Sequence, residues 1–236
     1  TTAYGRDLAP PSTLARLLDE LAQLPGLRWL RLLYAYPRRF TRELMDVMAR
    51  REAIVPYVDI PLQHISDSVL RRMGRGVGRA ATEKMLADLR RVVPDVVIRT
   101  TFIVGFPGET AAEFKEVLDF VKAFKFDAMG VFEYSPEEGT RAAAMGGQVP
   151  PEVKARRAER LMLAQQKIAF AAARRRVGRS AEVLVDGVDA AGRCVGRTRG
   201  QAPDIDSVCL LTRECRPGTF FRGSIRDSQG YDLLVG

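Results

Sequence analysis

The sequence has 236 residues, of which 46% are hydrophobic and 28% charged, with a formal net charge of +8. This composition suits a globular protein with anionic partners such as nucleic acid or the ribosome, and it excludes a disordered chain. An odd number of cysteines, three, argues against a secreted disulfide framework. No apolar run reaches the about 18 residues of a membrane span, and the start does not resemble a signal peptide. We therefore expect a cytoplasmic protein with no membrane partner.

Helices and strands are predicted to alternate through the first part of the chain. Ser12, Thr41 and Ser66 are predicted N-caps of helices. The strands are predicted at 27–36, 57–63, 96–105 and 127–135, and further helices at 80–92, 111–124 and 151–176. Strands that alternate with helices at this spacing predict a parallel sheet with helical connections, as in a βα barrel or a doubly wound fold.

The character of the sequence changes after Gly178. Short alternating apolar runs are separated by Asp-Gly, Ala-Gly and Gln-Gly, which is typical of a small antiparallel barrel or sandwich. We therefore predict one domain over 1–178 and a second over 179–236. The second holds all three cysteines (Cys194, Cys209 and Cys215), which we interpret as buried small hydrophobes without a metal. From Ser180 onward it holds seven arginines and eight acids, so it is not an obvious polyanion binder.

Polar residues collect at the carboxyl ends of the predicted strands, where barrel active sites are built. They are Gln63, His64 and Ser66 after the second strand, Gly105, Gly108, Glu109 and Thr110 after the third, and Glu133, Tyr134, Ser135, Glu137 and Glu138 at the end of the fourth. Arg99 and Thr101 lie within the third strand. An inward Arg99 would suit a ligand carboxylate and an outward one would be solvated, and spacing leaves both open. We interpret His64, the single histidine, as a hydrogen-bonded structural residue.

Four long motifs resemble the radical S-adenosylmethionine (SAM) methylthiotransferases. They are TTAYGRDL, YVDIPLQHISDSVLRRMGR, RTTFIVGFPGET and FEYSPEEGT, in this order. The resemblance covers essentially the whole chain. It implies a partial TIM-like (βα) radical SAM barrel, with its first strands missing, followed by a small all-β TRAM barrel.

The resemblance leaves two substrate classes. FEYSPEEGT and QAPDID resemble the branch that adds a methylthio group to the β-carbon of an aspartate in the small-subunit ribosomal protein of the decoding centre. The expected partner is that protein or the assembled small subunit, and the electron donor is not indicated. The alternative within the family is a transfer RNA adenosine methylthiotransferase. An alternative of another class is a non-catalytic ribosome- or RNA-binding module.

The resemblance also implies cofactors and site residues. SAM is expected against a set of six residues: Gln63, Ser66, Arg99, Thr101, Gly105 and Glu109. Substrate is expected against Tyr134, Glu137, Glu138, Asp204 and Asp206. No catalytic residue is assigned. The family carries two 4Fe-4S clusters, but the C-x-x-x-C-x-x-C motif is absent from this sequence. We therefore interpret the chain as an amino-terminally truncated fragment that is inactive alone and exposes apolar surface.

Overall fold

A computed structural model describes residues 2–236 and divides them into two compact units. The first unit ends at Gln165 and the second begins at Gln166, so the division falls inside a long helix. None of the helices in the described part of the chain is long and apolar enough to cross a membrane.

The first unit holds a four-stranded parallel sheet with helices between its strands. The strands are β1 (Leu30–Leu32), β2 (Ile54–Asp59), β3 (Val97–Val104) and β4 (Ala128–Glu133), hydrogen-bonded in that order. The helices are α1 (Leu14–Leu21), α2 (Arg42–Arg50), α3 (Asp67–Arg72), α4 (Arg79–Val92), α5 (Ala111–Phe124) and α6 (Pro151–Arg176), which continues into the second unit, with a 3₁₀ turn at Pro37–Arg39. The predicted parallel α/β arrangement is confirmed.

The helices cover one face of this sheet. Along β3 the more deeply buried residues alternate with less buried ones. Phe102, from the buried set, packs edge-on against Phe120 of α5 and against Phe126, with ring centroids 6.5 and 5.9 Å apart. Because side chains alternate between the faces of a strand, Arg99 and Thr101 lie on the face opposite this helical layer. We call that side the open face.

Three local predictions for this unit need correction. The strand predicted at 57–63 instead covers Ile54–Asp59 and ends before Pro61, which has no amide to donate to a neighbouring strand. The N-cap of α1 is Thr13, whose hydroxyl accepts the Arg16 amide, and not Ser12. The first strand covers three residues and not ten, because its pairing with β2 is irregular and Tyr34 adopts a left-handed φ of 55°. Thr41 caps α2 as predicted.

The second unit holds the predicted small all-β barrel, which follows the end of α6. Its strands are β5 (Ser180–Val188), β6 (Cys194–Thr198), β7 (Cys209–Leu211), β8 (Phe220–Gln229) and β9 (Asp232–Val235). They close in the order β5-β6-β7-β9-β8. The core is apolar, with Val183 and Val235 fully buried. Closure removes the free edges that an open antiparallel sheet would leave.

The interpretation of the cysteines is correct for one of the three. Cys209 is a free, fully buried thiol in the barrel core. Cys194 and Cys215 instead form a disulfide across 21 residues of sequence. Cys194 opens β6 opposite Leu211 of β7, and the chain that follows β7 returns Cys215 to the same side of the core. Pairing therefore follows from the barrel's topology, which the spacing of the cysteines alone does not contain.

Candidate functional site

The turn after β3 is fastened by a buried carboxylate. Gly105 has a left-handed φ of 73°, which glycine adopts without strain. Its amide donates to Glu109 Oε2 at 2.8 Å, and Arg157 Nη1 of α6 donates to Glu109 Oε1 at 2.7 Å. The Glu109 side chain has no solvent exposure. The Glu109 carboxylate therefore connects the turn to α6 by hydrogen bonds.

Thr110 and Glu113 start α5 with a capping box. The Thr110 hydroxyl accepts the Glu113 amide, while Glu113 Oε2 accepts the Thr110 amide at 2.7 Å. Burial raises the pKa of Glu113, but hydrogen bonds from Ser68, Thr110 and Arg72 outweigh it and lower the pKa to about 2. The T-x-x-E spacing is the sequence signal of such a box. The polar residues of GFPGET thus divide between fastening the turn and starting the helix.

Arg99 and Thr101 share the open face with an acid that the sequence analysis did not single out. Asp59 lies opposite Arg99 in the β2–β3 register, and its Oδ1 is 4.0 Å from Arg99 Nε. The Arg99 side chain is only 18% exposed, which excludes the solvated, outward alternative. Gly130 of β4 lies beside both Arg99 and Thr101 and places no side chain over them. The space beside the Arg99 and Thr101 side chains is therefore free of a β4 side chain.

Gln63 extends the site beyond the end of β2. It adopts a φ of 71°, and its backbone bonds to β3 through Thr101 O and the Ile103 amide, at 2.8 Å each. A left-handed glutamine is uncommon, and such backbone conformations cluster at functional sites. Its side-chain Oε1 is buried without a hydrogen-bond partner among the described residues. A buried acceptor of this kind is where a ligand donor can bind.

Ser66 lies apart from this group. It occupies the N-cap position of α3, but its side chain makes no capping bond. Its hydroxyl instead donates to Glu116 Oε1 of α5 at 3.0 Å and contacts Ser68. The Ser66 amide donates to His64 Nδ1 at 3.0 Å, and His64 is 1% exposed, in agreement with the structural role expected for the histidine. These bonds connect α3 to α5 on the helical side of the sheet.

Tyr134 and the two glutamates that follow differ in their surroundings. The Tyr134 amide continues the β4 pairing with Val104 O at 2.9 Å, and its ring meets Phe106 edge-on at 5.2 Å. Glu137 and Glu138 are exposed on a turn that Gly139 closes with a φ of 76°. Tyr134 is thus part of the packed sheet end, whereas the glutamates face solvent.

Asp204 and Asp206 belong to the barrel unit. Asp204 is exposed in a left-handed turn with a φ of 66°. Asp206 Oδ2 accepts the Ala202 amide at 2.8 Å. Gln201, which precedes them, is 3% exposed and is bonded to Thr198 and Ser207. The QAPDID segment is therefore a tightly hydrogen-bonded loop from which Asp204 projects.

No group of three or more His, Cys, Asp or Glu residues within 2–236 could hold a metal ion. Cysteines are the usual ligands of an iron–sulfur cluster. In the barrel, Cys194 and Cys215 form the disulfide, and Cys209 is a buried thiol.

Two family models match the chain. Residues 10–121 match the radical SAM superfamily, and residues 177–235 match the TRAM domain. The two matches fall on the sheet-and-helix part and on the barrel respectively. The order of domains that the motifs imply is therefore confirmed.

Curated relatives match almost the whole chain. A ribosomal protein uS12 methylthiotransferase RimO from Desulforudis audaxviator is 48% identical over 99% of this chain and 52% of its own length. Proteins of the same name from Sorangium cellulosum and Moorella thermoacetica are 45% and 48% identical, over 99% and 92% of this chain and 50% and 49% of their own lengths. The chain thus spans about half the length of these relatives.

Among solved structures, the Escherichia coli coproporphyrinogen III oxidase HemN, a radical SAM enzyme, matches with a TM-score of 0.53. The match covers 66% of this chain and 37% of that one at 18% identity, so it concerns the fold alone.

Proposed function

We propose that the chain belongs to the RimO family of ribosomal protein uS12 methylthiotransferases, and that the active protein adds a methylthio group to the β-carbon of an aspartate in uS12 by radical SAM chemistry. The observation that carries the proposal is the identity to proteins of that name along 99% of the chain. The motifs FEYSPEEGT and QAPDID lie within the aligned region and favour this branch over transfer RNA modification.

We assign SAM to the open face and carboxyl edge of β3. Arg99 offers a guanidinium that Asp59 orients and that can bind the SAM carboxylate. Thr101 adds a hydroxyl on the same face, beside the space left by Gly130. The unpartnered amide oxygen of Gln63 can accept a donor of the ligand. These groups suit a zwitterionic ligand with a polar ring, so the residues present fit SAM.

The turn after β3 completes this assignment. Gly105 gives the turn its left-handed backbone, and Glu109 fixes the turn without contacting solvent. Ser66 is assigned a positioning role through Glu116 in place of the direct contact that the resemblance implies.

When bound at a reduced iron–sulfur centre, SAM supplies one-electron chemistry that can break an unactivated C–H bond. The residues of this chain bind and orient SAM and exclude water from it. Residues 2–236 offer no ligand set for such a centre. That the active protein uses two 4Fe-4S clusters stays a prediction.

We propose that acids bind the substrate. Glu137 and Glu138 present two carboxylates on an exposed turn close in sequence to the end of β4, and Asp204 projects from the barrel. A loop of a basic ribosomal protein would be attracted by these charges, whereas RNA would be repelled. Within the first unit, Tyr134 is assigned to the substrate site together with Glu137 and Glu138. The partner is then uS12, alone or in the assembled small subunit.

The test uses a polypeptide that contains this chain and has the length of its relatives. It is purified without oxygen, reconstituted with iron and sulfide, and supplied with SAM and a reductant. A peptide of the uS12 loop and transfer RNA are offered together, and the mass of each is read. The proposal predicts one methylthio group on the peptide alone. Gain on the RNA alone would favour the transfer RNA branch, and gain on neither, with clusters present, would favour the binding module.

A further inference from the structure

Two cations of α6 reach into the loops at the carboxyl ends of β3 and β4. Lys154 is 9% exposed, and its Nζ donates to Tyr134 O at 2.7 Å. Three residues along, Arg157 Nη1 donates to both the carboxylate and the backbone oxygen of Glu109, at 2.7 and 3.1 Å. Residues three apart share one face of a helix. One face of α6 therefore contacts both loops.

The ion pair between Arg157 and Glu109 is buried, with side-chain exposures of 11% and 0%. A buried ion pair contributes little net stability, because desolvation offsets the attraction between the charges. The pair instead fixes the orientation of the Glu109 carboxylate. One carboxylate oxygen of Glu109 accepts a hydrogen bond from Arg157, and the other accepts one from the Gly105 amide. Hydrogen bonds therefore connect the guanidinium, the carboxylate and the turn in series.

Among the described residues, no other side chain offers Glu109 a hydrogen bond of comparable strength. His64 Nε2 lies 3.7 Å from Glu109 Oε2, beyond hydrogen-bond distance. Its Nδ1 accepts the Ser66 amide. On the other side, the stem of Lys154 packs directly against Gly105 and fills the space that a Cβ would need. The turn is thus held from α6 at both of its ends.

We propose that Arg157 and Lys154 are positioning residues for SAM, which fix the turn Gly105–Glu109 and the Tyr134 backbone in the geometry that binds the adenosyl group. The inference rests on the proposed function, since it takes this edge of the sheet as the SAM site. Neither cation contacts the ligand in this account. Their effect is on affinity for SAM, through the backbone that they hold.

The experiment measures SAM affinity by equilibrium dialysis, together with KM for SAM and kcat, in the reconstituted polypeptide of the relatives' length. Arg157→Met is expected to raise the Kd and KM for SAM by about tenfold or more, with kcat changed by less than about threefold. Arg157→Lys keeps a cation and is expected to recover most of the affinity. Arg156→Met, one residue away and exposed, is the matched control and leaves both constants unchanged.

Failure of this inference is distinguishable from failure of the proposed function. If the unaltered protein binds no SAM and modifies no peptide, the proposed function falls. If it does both and a folded Arg157→Met protein has the same Kd for SAM, the positioning role is wrong. Should Arg157→Met not fold, Lys154→Met carries the test, because methionine keeps the stem against Gly105 but cannot donate to Tyr134. An unchanged Kd in that variant overturns the inference.

Discussion

Replacing Gly105 by alanine tests the packing of the turn against α6. A Cβ on Gly105 would lie 3.0 Å from Lys154 Cδ and closer still to Cγ, at separations that side chains do not tolerate. The contact is with the middle of a buried stem and not with a free end, so Lys154 must move. Its bond to Tyr134 O is then lost, at a cost of about 1.5–3 kcal/mol for a charged donor. The left-handed φ of 73° adds about 1–2 kcal/mol.

We therefore expect Gly105→Ala to lower the free energy of unfolding of the first unit by about 2.5–5 kcal/mol. The matched control is Gly26→Ala. Gly26 is also left-handed, with a φ of 81°, but no atom lies within 4 Å of a Cβ added there. It should lose only about 1–2 kcal/mol. The assay is urea unfolding of the 236-residue chain followed by the fluorescence of Trp29, the single tryptophan, which lies in the first unit.

A double-mutant cycle isolates the contact. In a Lys154→Ala background the clashing stem is gone, so adding Gly105→Ala should cost no more than Gly26→Ala does. Equal losses for Gly105→Ala and Gly26→Ala in the otherwise unaltered chain would refute the reasoning. So would a full loss that persists in the Lys154→Ala background.

The barrel and the capping box carry further predictions. Alkylation of the native chain at pH 8 should label none of the three cysteines, because two form the disulfide and burial raises the pKa of Cys209 to about 12; two labels before reduction would contradict the pairing. Replacing Cys194 and Cys215 together by serine should lower the free energy of unfolding of the barrel by about 3 kcal/mol, seen as a lower urea midpoint than that of the unaltered barrel. Because the pKa of Glu113 is lowered from 4.5 to about 2, its carboxylate stabilises the fold above pH 4.5 and loses this effect as the pH falls through about 2. In thermal unfolding, Glu113→Gln should therefore lower the free energy of unfolding by about 1–2 kcal/mol at pH 7, after allowance for solvent screening, and by almost nothing near pH 2. A difference between the two proteins that does not change with pH would contradict the lowered pKa.

The parts of the fold that local chemistry determines are predictable from the sequence. The bounds of α5 and α6 agree with the prediction, since Thr110 and Pro151 are strong start signals. The length of β1 is not predictable in this way, because it depends on pairing with β2 and on the left-handed turn at Tyr34. Strand patterns identify apolar runs, whereas partner strands decide how much of a run becomes a strand.

The same distinction applies to the candidate site. The orientation of Arg99 is open in the sequence, because either face of β3 is possible until Phe102 packs against α5. Ser66 has the sequence of a helix cap, but its hydroxyl bonds to Glu116, fifty residues away. Arg157 gave no sequence signal, since an arginine on a long basic helix usually faces solvent. Its role depends on a contact with a carboxylate 48 residues earlier in the chain.

The central claim is that a uS12 aspartate loses a hydrogen from its β-carbon to SAM-derived chemistry at this site. The most direct measurement offers the reconstituted polypeptide a uS12 loop peptide deuterated at that β-carbon and weighs both the peptide and the 5′-deoxyadenosine released. The account predicts that the peptide gains a methylthio group and that deuterium appears in the 5′-deoxyadenosine. With both β-hydrogens replaced by deuterium, one deuterium stays on the modified β-carbon. A methylthio group on the peptide with no deuterium in the 5′-deoxyadenosine, or with both deuterium atoms kept at the β-carbon, would contradict the account.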